Sequence, residues 1–178
     1  SRRYEVLFGL KKIHRQCLAP DPGIAVSPFD AAAEPSECLL VNDSVGGLAL
    51  SRERPVDFQL KIGEVVALRI RSSDRWSIGI VRWFRTTRVG KAIFGLQLLA
   101  PGAHAVQVRR AGDDRAFDCL WLPATPSLRQ GEMVLCPGGR LEVGTSLTLL
   151  SDRTEPRNIR LEQLAELTPS IEAYRFSG

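Results

Sequence analysis

The sequence predicts an all-β protein with one or two short helices. Apolar runs of strand length recur at short, even spacing, and polar or Gly/Pro-rich turn clusters separate them, the pattern of a barrel or sandwich. Within Val65 to Arg71 the alternation is explicit: Val66, Leu68 and Ile70 fall on one face and Ala67, Arg69 and Arg71 on the other, as in a half-buried strand.

In chain order, Tyr4 to Phe8 reads as a strand that runs into a short helix, in which Leu10, Ile13, Cys17 and Leu18 share one face. Ala19 to Ser36 holds four prolines and several small residues, so it reads as a mobile surface loop. Strands follow at Cys38 to Val41, Leu48 to Ser51, Val65 to Arg71, Trp76 to Arg85, Ala92 to Leu98 and Ala105 to Arg109. Trp76 to Phe84 keeps bulky apolar residues on both faces, which predicts a central strand covered on both sides, with Trp76 and Trp83 in the core and Arg82 and Arg85 escaping. The polar stretch Ala111 to Arg115 then separates two blocks, residues 1–110 and 111–178. The second block offers strands at Phe117 to Leu122, Met133 to Cys136, Thr145 to Leu150, Asn158 to Leu161 and Ile171 to Phe176. A tight turn is expected at Pro137-Gly138-Gly139, and Leu161 to Leu167 fits either strand or helix. The second block is small for an independent core and should pack on the first. No internal repeat is visible.

Composition excludes several classes. The chain has 178 residues, 44% hydrophobic and 25% charged, which is ordinary for a globular protein of one domain or two small ones. The most apolar stretch is interrupted at Arg82, far short of the roughly 20 apolar residues of a membrane span. No membrane insertion is expected. Net charge is only +4, but all cations except Lys11, Lys12, Lys61 and Lys91 are arginine. Arginine grips phosphate with a planar fork and stacks on bases, so this usage suits a planar anionic ligand, although a high-GC coding sequence would enrich arginine equally well. Cys17, Cys38, Cys119 and Cys136 are scattered, and His14 and His104 lie far apart. Neither a metal site nor histidine catalysis is expected, and the cysteines read as small apolar fillers in a reducing cytoplasm. The chain opens on serine with no secretory leader and reads as a piece of something longer.

One segment carries chemistry. In Cys38 to Leu50, a polar turn containing Asn42, Ser44, Gly46 and Gly47 joins two apolar strands. Asn42, Ser44 and Gly47 fit the spacing [DN]xSxxG and resemble the second signature of PilZ domains, the bacterial receptors for cyclic di-GMP. Downstream, Gly63 to Val66, Trp76 to Trp83 and Phe94 to Leu99 look like the later strands of that barrel, in the usual order. The resemblance covers about residues 1–110. It implies a PilZ-like antiparallel barrel followed by a second small β module, cyclic di-GMP as ligand, and no catalytic group, metal or other cofactor.

The family's other signature is RxxxR, just ahead of the opening strand, whose arginines hold phosphate and stack on guanine. Arg2 and Arg3 stand there, with no arginine four residues after either. Lys11 and Arg15 have KxxxR form but fall in the expected helix and read as a solvated face. The resemblance therefore implies that Asn42 and Ser44 read guanine, that Gly47 permits a special backbone or close approach, and that Arg2 and Arg3 clamp phosphate or stack. Binding would alter contacts with a protein partner or another domain of a longer chain. The alternatives are a degenerate PilZ-like interaction module with no nucleotide, which would use Arg69, Arg71, Arg82, Arg85 and Arg88 as a partner surface, and a nucleic-acid binder resting on a pI near 9.1 and the Arg/Trp-rich stretch Arg75 to Arg88. No nucleophile elbow, HExxH or P-loop supports an enzyme.

Overall fold

The computed structural model describes residues 2–18, 35–53, 60–71 and 73–178. The first half runs β1 (Arg3–Phe8), α1 (Leu10–Cys17), β2 (Ser36–Ser44), β3 (Gly47–Arg52), β4 (Val65–Ile70), β5 (Ser77–Thr86) and β6 (Ala92–Ala100). The second runs β7 (His104–Arg110), β8 (Ala116–Leu122), β9 (Met133–Pro137), β10 (Ser146–Ser151), β11 (Thr154–Leu167) and β12 (Ile171–Ser177). These strands close into two six-stranded barrels, ordered β1-β2-β3-β6-β5-β4 and β7-β8-β9-β12-β11-β10. All pairings are antiparallel, as the all-β expectation required.

Two expectations change. Strand β7 pairs with β8 and β10, so it belongs to the second barrel, and the first barrel ends at Ala100, not at residue 110. The polar stretch at residues 111–115 is the turn of the β7–β8 hairpin, while the real junction is the short apolar linker Pro101 to Ala103. The expected absence of a repeat also holds only for the sequence. Numbered within each barrel, both have the neighbour order first, second, third, sixth, fifth, fourth. Both also step their register between fifth and sixth strands, at Val81/Trp83 and at Leu161/Gln163.

Each barrel encloses its own core. Val6, Cys38, Leu50, Val66, Leu68, Val81, Phe94 and Leu96 fill the first, and Val108, Cys119, Val134, Cys136, Leu147, Leu161 and Tyr174 the second. A third apolar layer lies between the barrels. The outward residues Val65, Ala67, Ile78, Ile80 and Leu99 of the first meet Leu120, Leu122, Met133, Leu135, Ile171 and Ala173 of the second. Successive strand residues point to opposite faces, so strands at this contact are apolar on both sides. That corrects the reading of β4: Ala67 is fully buried under the second barrel, whereas Ile70, expected in the core on the Val66 and Leu68 face, is the last residue of the strand and is 41% exposed. The second barrel, from His104 onward, shares this layer with the first.

Helix α1 is wedged into this layer. Gly9, at φ +92°, turns the chain out of β1 while its N–H donates to the Val65 carbonyl. Ile13 enters the layer fully buried, and His14 Nε2 lies 2.9 Å from the carbonyl of Val106 in the second barrel. A carbonyl only accepts, so Nε2 carries the hydrogen. Further along, Thr168 Oγ1 donates to the Gly63 carbonyl at 2.7 Å, and Arg82 Nη2 meets Glu166 Oε1 at 2.8 Å.

The remaining expectations fall as follows. Leu161 to Leu167 is strand, part of the long β11 with its two register steps. The proline-rich loop expected over Ala19 to Ser36 lies outside the described residues up to position 34, and Ser36 opens β2. The cysteines are free; Cys38, Cys119 and Cys136 are buried, and burial pushes the Cys17 thiol up to about 11 and that of Cys38 to about 12. Among the described residues no helix is long and apolar enough to cross a membrane.

Two outcomes are expected. Leu135→Ala, which empties volume in the layer between the barrels, should cost about 2–5 kcal/mol in urea unfolding and leave a single transition. Arg157 holds Glu132 bidentately at 3.1 and 2.9 Å, and this hydrogen bonding lowers the Glu132 pKa from its ordinary 4.5. A lowered folded pKa stabilises above the unfolded value and is lost as pH falls through the folded one. The stability difference between the parent and Glu132→Gln, at most about 1 kcal/mol at pH 7 for so exposed a pair, should therefore shrink as the pH falls out of the ordinary carboxylate range and be gone once Glu132 is protonated in the folded state.

Candidate functional site

The turn that carries the motif is tighter than the sequence suggested. Asn42, Asp43 and Ser44 are still strand, the last three residues of β2, and only Val45 and Gly46 form the turn. Gly46 supplies the positive φ of +84° that a two-residue hairpin needs. The register of β2 on β3 steps between Leu40 and Asn42, a bulge that re-aims the residues after it. Asn42 Oδ1 accepts the Asp43 N–H at 2.9 Å, which leaves the amide NH₂ available as donor. The Ser44 hydroxyl reaches the Gly47 carbonyl at 3.4 Å, long enough to be given up to a better partner.

Gly47 is required for a reason internal to the barrel. A Cβ there would stand 2.9 Å from the Leu96 carbonyl oxygen of β6. The close approach is that of a neighbouring strand, whereas the sequence left open whether a ligand or the backbone demanded the glycine.

Beside the turn lies a cleft of about 260 Å³ lined by Asn42, Ser44, Gly47, Arg82, Trp83 and Gln97, among others. Trp83 is the principal correction. Expected in the core, it is 43% exposed, while Trp76 is buried as expected at 7%. The cause is the length of β5: Ile78 to Val81 run beneath the second barrel, and the strand then continues past its cover. The indole lies across Gly95, where any Cβ would overlap Nε1 and Cε2. An interior glycine in an otherwise apolar strand signals such an approach, and Phe94-Gly95-Leu96 carried that signal in the sequence.

Arg82 brings the cation. Its Nε donates to Gln97 Oε1 at 2.8 Å and its Nη2 to Glu166 on β11, so one guanidinium joins the cleft to the second barrel. Arg2 and Arg3 do not line this cleft. Arg3 pairs with Glu37 at 2.9 Å on the exposed face of β1 and β2, and the Arg2 carbonyl accepts the Leu40 N–H, two residues short of Asn42. Lys11 and Arg15 are exposed on α1, as a solvated face should be. Of the arginines proposed as a partner surface, Arg71, Arg85 and Arg88 are exposed, but Arg69 is paired with Glu5 at 2.7 Å and lies over the Trp76 ring.

The site thus combines an amide and a hydroxyl at a hairpin end, an exposed aromatic face and a guanidinium. Such a set can read a purine edge, stack its face and hold an adjoining phosphate.

Comparison with known proteins finds matches over both barrels. Residues 29–105 match the family described as Cyclic-di-GMP receptor FimW, middle PilZ domain, and residues 102–178 match FimW C-terminal beta-barrel domain. The overlap of the two matches falls on the linker region between β6 and β7. Over 102 residues the chain is 34% identical to the Cyclic-di-GMP receptor FimW of Pseudomonas aeruginosa, a stretch that covers 55% of this chain and 17% of that receptor. No solved structure matches. Asn42, Ser44, Gly47, Arg82 and Trp83 all lie within the PilZ match, whereas Arg2 and Arg3 precede it.

The two glycines should respond differently to alanine. Gly47→Ala meets a backbone oxygen that cannot swing aside and should cost about 1–3 kcal/mol in urea unfolding. Gly95→Ala meets an exposed side chain that can move, so it should leave stability nearly intact while shifting Trp83 fluorescence and its acrylamide quenching.

Proposed function

From a chain that matches the middle PilZ domain and the C-terminal β-barrel domain of the FimW receptor, we propose a cytoplasmic cyclic di-GMP-binding module whose ligand seats at the Asn42–Trp83 cleft. It acts by binding and drives no chemistry. The observation that supports this most is the exposed Trp83 lying on Gly95 beside Asn42 and Ser44. One guanine stacks on the indole while the Asn42 amide and Ser44 hydroxyl meet its edge. Arg82 takes the adjoining phosphate. At about 260 Å³ the cleft lies below the roughly 300–1,000 Å³ of enclosing small-molecule pockets, so it seats part of the dinucleotide and leaves the rest on the barrel surface. Arg2 and Arg3, at the head of β1, are the cations proposed for that remainder.

Arg82 also supplies an output. A phosphate within its reach competes with Glu166 for the same guanidinium, so occupancy weakens a tether between the barrels and can change contacts with a protein partner or neighbouring domain. A second reading, a degenerate module that keeps the fold without the ligand, draws support from Arg2 and Arg3 lying outside the cleft.

Calorimetric titration of cyclic di-GMP, with GTP as control ligand and at two salt concentrations, separates these readings. Saturable binding is expected, weakened by salt. Trp83→Ala should lose roughly ten- to hundredfold in affinity, the value of one stacked base. Asn42→Ala should weaken binding, and Glu166→Gln, which removes the competitor, should strengthen it. Absence of saturable binding by the folded protein overturns the receptor reading in favour of the degenerate module.

A further inference from the structure

A second cleft, of about 570 Å³, opens where the barrels meet on the linker side, and it shares no residue with the Asn42–Trp83 site. The end of α1, the turn before β5, the linker, the chain after β8 and the turn between β10 and β11 form its walls. Its charged lining is Arg69, Arg75 and Arg153 with one acid, Asp74. Arg69 is already committed to Glu5 and to the Trp76 ring. Arg75 and Arg153 are different: among the described residues no ion pair or hydrogen bond holds either guanidinium. Their backbones are nonetheless fixed in the same way, since the Arg75 N–H donates to Ser73 Oγ and the Arg153 N–H to Ser151 Oγ, each at 3.2 Å. One arginine stands on the first barrel and the other on the second. His104, the first residue of β7, lines the same cleft, its ring 5.0 Å from that of Trp121.

We propose that this junction cleft is a second anion site, which takes a small phosphate-bearing molecule clasped between Arg75 and Arg153. Two guanidinium forks arriving from separate walls suit a tetrahedral group with oxygens on several sides, whereas a carboxylate is satisfied by one fork. Gln16 and Thr125 add hydrogen-bonding groups, and Leu18, Pro101 and Pro123 give the organic part an apolar wall. The volume lies within the range that encloses small ligands. Burial first, and the Arg153 cation second, lower the pKa of His104, so its imidazole is neutral near pH 7 and reports an arriving anion. Because each barrel contributes one arginine, occupancy ties the two barrels together and raises the melting temperature with ligand concentration.

The chain holds two histidines, so its imidazole NMR spectrum is a built-in assay. His14, bonded to Val106 away from this cleft, is the reference. The probes are inorganic phosphate, pyrophosphate and ribose 5-phosphate, added at constant pH and ionic strength. Saturable movement of the His104 signal with His14 still is the expected result, weakened about tenfold or more in Arg75→Gln and in Arg153→Gln and retained in Arg88→Gln, which removes the same charge elsewhere. A tighter response to ribose 5-phosphate than to inorganic phosphate assigns the organic wall; equal responses assign a bare phosphate seat. A His104 signal that does not saturate with any probe up to millimolar concentration, or that weakens as much in Arg88→Gln, overturns the proposal.

Discussion

The apolar layer between the barrels is the constraint on which the rest of the molecule depends. It covers the outward faces of β4 and β5 and the far end of β6 with β8, β9 and β12. Sheets meeting face to face interdigitate their side chains as a core does. Ile13 is driven into the same layer, and with it α1, which His14 then pins to β7. What the layer leaves uncovered matters as much. The end of β5 projects past it, and there Trp83 becomes available beside the β2–β3 hairpin, so the same contact that buries one half of a strand presents the other half to solvent.

Local pattern made the elements legible, and tertiary contact decided what was not. Strands and the helix after Tyr4 to Phe8 were readable from alternation and turn residues. Asn42, Ser44 and Gly47 were readable from their spacing, and the cleft does bring them together. Trp83 was not recognised, because its exposure depends on where a distant barrel stops covering β5; Arg82 was read as escaping to solvent but not as part of this cleft. The place of β7 was hidden for a related reason: a turn at residues 111–115 looks the same whether it separates two domains or closes a hairpin within one. Gly47 was readable as a required glycine, but the atom that requires it, the Leu96 carbonyl, lies far along the chain.

The repeated strand order makes the two barrels a natural comparison. Just after the register step between fifth and sixth strands, the first barrel pairs Trp83 with Gly95, and the second pairs Gln163 with Arg175. In the first, a ring lies on bare backbone with one face to solvent. In the second, Arg175 donates to Gln163 Oε1 at 3.3 Å and the position is closed by its own side chains. The second and third strands differ likewise, joined by a two-residue turn in the first barrel and by residues 123–132 in the second. One topology thus carries an open aromatic site in one copy and a self-satisfied surface in the other.

The short linker Pro101 to Ala103 joins two faces that are both oily, and this bears on how such a protein can change over generations. A recombination event that cut the gene there would leave each half with a sticky wall, prone to clump before it found a substitute. Inheritance should therefore shuffle the pair only as an indivisible cassette, with new segments spliced on outside it.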